Sequence, residues 1–280
     1  MNVIISNPQN LEKLKSGIKK SGLNSLHILS DFDKTLTYGQ VDGVKTPSII
    51  SMLRDGRHLS ENYADEDQAL FDKYHPLETA LGISREEKKK SMQGWWETHN
   101  RLLIKSGLSK SDLEDIVNNG PVKFRDGLPE FLDFLYEHNI PLVILSASGC
   151  GDAIQLFFKK INRDYPNVFY LTNKFNWDEK GRVISIKGPV IHSLNKDETI
   201  LEKIPKIYKT IKDRKNVILL GDNIEDIKMI TGFNYANLLK IGFLNSDDEK
   251  IKEAYKKNFD VIITGDGDFN FINNLIQSLS

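Results

Sequence analysis

Apolar runs alternating with amphipathic helical stripes through the second half of the chain predict an α/β fold with a mainly parallel sheet covered on both faces. Three runs carry that prediction: Leu26–Ser30, Pro141–Leu145 and Val217–Leu220. Each stops at polar residues, Asp31, Ser146 and Gly221-Asp222 respectively. A stretch of different character, residues 38–119, follows the first run and predicts a helical insertion there. Open parallel sheets bind ligands beyond the carboxyl ends of their strands, so these three ends predict one site.

The elements follow in order. From Pro8 to about Ser21, Leu11, Leu14 and Ile18 recur at helical spacing between lysines, and Gly22 is a stop. Strand Leu26–Ser30 and the Asp31 loop come next. Within 38–119 short apolar groups alternate with dense charge and no clear strand shows. Helices are expected at Ser48–Leu53 and Asp67–Tyr74. Another opens at the capping box Ser84-Arg85-Glu86-Glu87 and runs towards Ile104, and a last one covers Ser109–Val117. Beyond Pro121, Leu128, Phe131, Leu132 and Leu135 form a helical stripe, and Ile154, Phe157, Phe158 and Ile161 form a second. Val168–Thr172, Val183–Ile186, Leu238–Phe243 and Val261–Thr264 read as strands. Ile224–Ile230, Asp248–Lys256 and a segment from Asp268 read as helices. Asp197–Ile211 is a helical region kinked or broken at Pro205. The expected division is a core of residues 1–37 and 120–280 with the insertion 38–119.

Length and composition set limits. A chain of 280 residues holds one large domain, or a core with a smaller insertion. Basic and acidic residues number 38 and 39, so the formal charge of −1 gives no electrostatic reason for a nucleic-acid or anionic-membrane partner. The single cysteine, Cys150, excludes an internal disulfide and fits a reducing compartment. No apolar run approaches the roughly 18 residues of a membrane span. The start of the chain lacks the basic and long apolar regions of a signal peptide. A monomeric cytoplasmic enzyme is expected.

The residues at the strand ends suggest the chemistry. Asp31 and Asp33 lie two apart, and in an extended strand they would point to opposite faces. A turn at Phe32 would let them cooperate, one carboxylate attacking phosphorus and the other moving protons. A phosphate dianion repels a carboxylate, so a cation is needed between them. Asp222, in Gly221-Asp222-Asn223-Ile224-Glu225-Asp226, would join Asp31 in an all-oxygen site suited to Mg²⁺. Asp226, one helical turn on, would support it; a role for either acid as a helix N-terminal charge is the alternative. Ser146 opens the glycine-rich stretch Ala147-Ser148-Gly149-Cys150-Gly151-Asp152, whose hydroxyls and amides can cradle phosphate or merely cap a helix. A lysine should balance the transferring charge. Composition cannot choose one, and Lys196, just before an expected helix, is the best placed. There is no phosphate-binding G-x-x-x-x-G-K-[ST] loop, no dinucleotide fingerprint and no H-x-x-x-H pair for zinc.

In order, Asp31–Thr37 (D-F-D-K-T-L-T), Ser146, Lys196 and Gly221–Asp226 (G-D-N-I-E-D) resemble the four motifs of haloacid-dehalogenase-like (HAD) phosphohydrolases. Asn7–Asn10, Tyr74–Glu78 (Y-H-P-L-E), Ile191–Asp197 (I-H-S-L-N-K-D) and Leu239–Asn245 (L-K-I-G-F-L-N) narrow the resemblance to the pyrimidine 5′-nucleotidase family, across nearly the whole chain. The resemblance implies a Rossmann-like core, a helical cap, Mg²⁺, and hydrolysis of nucleoside 5′-monophosphates. It also implies roles. Asp31 is nucleophile and metal ligand. Asp33 is general acid/base and lends its carbonyl to the metal, and Asp222 is a further ligand. Ser146 and Lys196 hold the phosphoryl oxygens, with Ser148 nearby in the same loop, and Glu78 contacts the base. The cap stretch Gly94–Asn100 matches more loosely. Adjacent tryptophans diverge by about 100° on a helix, so one of Trp95 and Trp96 is expected in the cap core and the other, taken as Trp96 and accompanied by His99, at the base. The loop S-A-S-G-C-G-D is one residue longer than the family's S-A-G-x-G-D. The same residues would serve a phosphotransferase, a phosphatase of another small metabolite, or a catalytically silent binding module.

Overall fold

The computed structural model describes residues 3–56, 58–80, 82–196, 204–232 and 234–280. Its strands are β1 (Val3–Ile5), β2 (Leu26–Ser30), β3 (Gln40–Val41), β4 (Val44–Lys45), β5 (Leu142–Leu145), β6 (Val168–Leu171), β7 (Lys174–Trp177), β8 (Val183–Lys187), β9 (Asn216–Gly221), β10 (Asn237–Leu244) and β11 (Val261–Thr264). Seven of them form the central sheet in the order β1-β11-β10-β9-β2-β5-β6. Every pairing in it is parallel except β1 with β11. β2 lies between β9 and β5, and the chain builds out to one side through β5 and β6 before returning to the other through β9. The end of β2 is thus a topological switch point, where crossovers diverge and leave a crevice.

The period of two along each strand explains why these runs read as uninterrupted apolar stretches. Ile28, Leu142, Ile144, Ile218 and Leu220 face one side, packed with Phe131, Leu132, Ile154 and Phe158. Their neighbours Leu29, Val143, Leu145, Val217 and Leu219 face the other, with Ile207, Ile211 and Tyr255. Both faces are covered, so no position of β2, β5 or β9 is exposed. Each such aliphatic side chain contributes about 1.5–3 kcal/mol by leaving water.

The insertion leaves and returns through one stem. Thr37 and Phe124 form an antiparallel bridge, Tyr38 N donates to Lys123 O, and Arg125 N donates to Leu36 O. Helix α1 (Pro8–Ser21) precedes β2, and between Thr37 and Phe124 lie α2 (Ile49–Asp55), α3 (Tyr63–Thr79), α4 (Arg85–Lys105) and α5 (Lys110–Asn119). Ser48 caps α2, and complete capping boxes open α4 (Ser84 with Glu87) and α5 (Ser109 with Asp112). α5 is also tied to the hairpin β7–β8, because Lys110 N donates to Gly181 O and Val183 N to Leu108 O.

Several elements differ from the sequence reading. α3 starts earlier than Asp67 and runs past Pro76, which sits in its last turns and carries Glu78 onto the helix. Val183–Lys187 pairs antiparallel with Lys174–Trp177, outside the main sheet; the partner K-F-N-W is too polar to read as a strand. Ile224–Ile230 is 3₁₀ rather than α, a tight form suited to a short segment held by its cap. β1 and the β3–β4 hairpin, with strands of three and two residues, carry too few positions for a period to show. A helix runs from Pro205 to Ile211, with proline at its first turn; the expected part before it, 197–203, lies outside the described residues.

Candidate active site

β2 delivers Asp31. Its amide donates to Leu220 O at 3.0 Å, continuing the β2–β9 ladder one residue past the strand. The chain then turns at Phe32, whose ring is fully buried against Phe124, Phe157 and Phe158. Leu36 N donates back to Phe32 O at 3.0 Å, so the extended alternation ends there and Asp31 and Asp33 both line the cavity above the sheet. Lys34 takes a positive φ of 58°, a conformation costly for a side-chain-bearing residue. Arg125 holds it there: Nη2 donates to Lys34 O at 2.6 Å and Nε to Thr35 O at 2.9 Å.

β9 delivers the second acidic group. Asn223 and Asp226 form a capping box, with Asp226 Oδ2 accepting from Asn223 N at 3.0 Å. Gly221 is required by this close approach, since a Cβ there would stand 2.6 Å from that of Asp226. Asp226 therefore caps the 3₁₀ turn and also presents Oδ1 to the cavity. Tyr255, from the helix Glu249–Asn258, donates its hydroxyl to the Asp222 carbonyl.

Lys196 joins the two groups. Its ammonium lies 2.5 Å from Asp31 Oδ1 and 3.0 Å from Asp226 Oδ1, and all three side chains are nearly enclosed. It arrives on a loop closed on itself: His192 N donates to Asn195 Oδ1, Asn195 N to His192 O, and Asn195 Nδ2 to Val190 O. Asn173 anchors that loop to the phosphate-type loop after β5. Its side chain accepts from Ile191 N and donates to both Ile191 O and Ser148 O. Within the phosphate-type loop, Ser148 N donates to Ser146 Oγ at 3.1 Å.

Burial pushes the Asp31 carboxyl up, opposed by Lys196 and reinforced by Asp226 and Asp33. Burial also raises Asp33, opposed by Lys196 and Lys34, which favours a protonated carboxyl there. Asp222 is raised well above the ordinary range by burial and then by Asp31 and Asp226. For Lys196 burial favours the neutral amine, but the carboxylates of Asp226 and Asp31 outweigh it and keep it charged. Cys150 is buried and its thiol raised by burial, so it is no nucleophile.

One carboxylate oxygen from each of Asp31, Asp222 and Asp226 lies within 4.8 Å of the others. Asp31 and Asp226 are buried and Asp222 is half-buried, and the donors of all three are hard oxygens, so the residues present fit a divalent cation such as Mg²⁺.

All ten residues singled out in the sequence line one cavity of about 920 Å³: Asp31, Asp33, Glu78, Trp96, His99, Ser146, Ser148, Lys196, Asp222 and Asp226. Its roof comes from α3 and α4. Tyr74, Trp95 and Trp96 form a ladder, with ring centroids 5.9 and 6.0 Å apart and planes within 9° and 13° of parallel. The expectation that one tryptophan packs away in the cap core is thereby corrected: both line the cavity, because stacking turns the two indoles to the same side. His99 borders the cavity, but its Nε2 lies 3.1 Å from Tyr63 Oη and 3.2 Å from Asp67 Oδ1. Asp67, Lys88, Trp95 and Ser193 also line the cavity and escaped the sequence reading as contacts. Lone acids, lysines and serines on polar helices and loops carry no pattern that marks them.

A Rossmann-like sheet with an Asp-x-Asp pair ending its central strand, and serine, lysine and acidic loops converging on it, defines a HAD-type phosphoric monoester hydrolase. The pyrimidine 5′-nucleotidase (UMPH-1) family profile matches residues 34–280, and the chain belongs to that family. The 7-methylguanosine phosphate-specific 5′-nucleotidases of Rattus norvegicus and Homo sapiens are each 31% identical to it over 278 residues, 99% of this chain and 92% of theirs. The crystal structure of cytosolic 5′-nucleotidase IIIB bound to cytidine superposes with a TM-score of 0.87 at 26% identity, covering 99% of this chain and 93% of that one. A substrate-bound phosphoserine phosphatase, at 18% identity and a TM-score of 0.51, covering 91% of this chain and 98% of its own, shares the fold.

Proposed function

We propose that the chain is a Mg²⁺-dependent 5′-nucleotidase that hydrolyses nucleoside 5′-monophosphates through an aspartyl-phosphate on Asp31. The observation that carries this reading is the Asp31 carboxylate at the cavity floor, 2.5 Å from the Lys196 ammonium and beside Asp222 and Asp226. An Asp31 oxygen attacks phosphorus, and the bond to the nucleoside 5′-oxygen breaks. Asp33, as the carboxylic acid, gives that oxygen its proton. Asp33 then takes a proton from water as the water attacks the phosphoryl group, which releases phosphate and restores Asp31. Lys196, the Ser146 hydroxyl and the amides of the 147–151 loop hold the phosphoryl oxygens. Mg²⁺, held by Asp31, Asp222 and the Asp33 carbonyl with Asp226 in support, would offset the repulsion between phosphate and nucleophile.

Residues 38–119 act as the cap, entered and left through the Thr37–Phe124 stem, and the core comprises 1–37 and 120–280. Cap closure excludes bulk water and brings the aromatic ladder and Glu78 to the base. Pyrimidine nucleotides and 7-methylguanosine monophosphate are the expected substrates. Stacked indoles together with the carboxylates of Asp67 and Glu78 suit a cationic base such as 7-methylguanine. No helix among the described residues is long and apolar enough to cross a membrane. The lone buried thiol and the cytosolic designation of the structural relative support a cytoplasmic setting.

A panel of nucleoside monophosphates assayed with Mg²⁺ tests the reading. Turnover of cytidine, uridine and 7-methylguanosine monophosphates is expected, with the last preferred. Exclusive turnover of phosphoserine or sugar phosphates would overturn the nucleotidase assignment, and a preference for uridine or cytidine monophosphate would overturn the role given to the ladder. A new monophosphate formed from an added nucleoside would show phosphotransfer.

A further inference from the structure

Ser193 and Glu78 are 115 residues apart in sequence and meet across the cavity, with Ser193 Oγ donating to Glu78 Oε1 at 2.5 Å. Glu78 sits in the last turn of α3, where Lys88 Nζ donates to its carbonyl at 3.1 Å. Its main chain is therefore held from within the cap, while its carboxylate is held from the core. The serine occupies one acceptor site of Oε1, and Oε2 keeps both of its own for a ligand.

The loop that presents Ser193 is braced by side-chain hydrogen bonds. Asn195 closes it with side-chain bonds to His192 N and Val190 O, and Asn173 clamps both the amide and the carbonyl of Ile191. Three residues beyond Ser193 the same loop delivers Lys196 to Asp31. A single closed turn thus fixes the cation at the phosphoryl end and the hydroxyl that orients the carboxylate at the base end.

We propose that Ser193 is a specificity-determining positioning residue. By holding Oε1 it fixes the direction in which Glu78 offers Oε2 to the N–H donors of the base, at a set distance from the phosphoryl site. This rests on the reading of Glu78 as a base contact. Ser193 itself touches no reacting atom. Its effect belongs to the choice among substrates and not to the chemical step.

The test compares kcat/KM for cytidine monophosphate with kcat/KM for ribose 5-phosphate, which carries the phosphate and lacks the base, on the full chain with Mg²⁺. Ser193→Ala is expected to lower that ratio about tenfold, through KM, the scale of one hydrogen bond to a charged group. Ser193→Thr keeps a hydroxyl and should retain the ratio. In a Glu78→Ala background Ser193→Ala should change it no further. If Ser193→Ala lowers both substrates by one factor, the serine merely supports the loop and the proposal fails. If Glu78→Ala lowers the ratio and Ser193→Ala does not, the proposal fails while Glu78 keeps its role. If Glu78→Ala leaves the ratio unaltered, the reading of Glu78 fails, and the proposal with it.

Discussion

Arg125 fixes Lys34, the residue that follows the second aspartate of the Asp-x-Asp pair, by a 2.6 Å hydrogen bond from its guanidinium to the Lys34 carbonyl. The arginine is fully buried, pairs with Asp266 at 2.9 Å, and also reaches Thr35 O, Gly267 O and Asn245 Oδ1. Asp266 in turn accepts from Gly39 N and Gln40 N, where the chain enters the cap. One ion pair therefore braces both the αL turn beside Asp33 and the root of the insertion. Arg125→Met leaves Asp266 without its cation and removes the guanidinium donors to Lys34 O, Thr35 O and Gly267 O. It should cost about 3–5 kcal/mol, read as a lower denaturation midpoint at unchanged slope.

Gly149 is where the helical insertion rests on the loop after β5. A Cβ there would lie 2.7 Å from Trp96 and 2.8 Å from Ile50, both cap residues. Gly149→Ala should lower kcat/KM for a nucleotide by about tenfold or more, on the scale at which a small misplacement of positioning groups is felt. Thermal stability should change little, because the contact is at the cavity and outside the core. An unchanged kcat/KM would show that the cap does not close on this loop.

The fold was legible where physics writes a long, regular signal. Leu26–Ser30, Pro141–Leu145 and Val217–Leu220 are buried on both faces, so each is an unbroken apolar run ended by a polar residue. Ser84 announces its helix through a capping box that the structure contains. Of the hairpin β7–β8 the second strand was read and the first was not, because Lys174 and Asn176 leave K-F-N-W without an apolar run. In the site, Asp31 and Asp222 stood out because a strand end gives an acid a defined direction. Ser193 and Asp67 did not, since their contacts arise from the docking of α3 against a distant loop and against α4. The paired tryptophans were half read: helical geometry separates their Cβ directions, and only the stacked ladder turns both rings to the cavity.

His27, within β2, is buried, and its Nδ1 lies 3.0 Å from the Arg214 carbonyl. Burial lowers its pKa from 6.5 to about 4, opposed by the hydrogen bond to the Arg214 carbonyl and aided by the charges of Arg214 and Lys215. The folded value lies below the unfolded one, so the unfolded chain binds a proton first as pH falls. This group's stability contribution is complete above pH 6.5, declines between 6.5 and about 4, and stays lost below that. The full swing is about 3 kcal/mol. Melting curves across that interval should fall less steeply for His27→Gln than for the parent, whatever the variant's stability at neutral pH.

A Mg²⁺ ion held as proposed by the folded acidic cluster would have no comparable site in the unfolded chain, so it should raise the melting temperature in a concentration-dependent way. Asp222→Asn removes one charge from the trio of Asp31, Asp222 and Asp226 and should shrink that rise as well as activity. A chelator should abolish turnover, and added Mg²⁺ should restore it. An equal Mg²⁺-dependent rise in the parent and Asp222→Asn would place the cation elsewhere.

The central claim is that Asp31 carries the phosphoryl group. Acid-quenched enzyme taken during turnover of a nucleoside monophosphate, digested and read by mass spectrometry, tests it directly. One phosphoryl group is expected on the peptide containing Asp31, absent from an Asp31→Asn variant that keeps its fold and loses turnover. Turnover by Asp31→Asn at the parent rate, or a phosphoryl group trapped on a different residue, would contradict it.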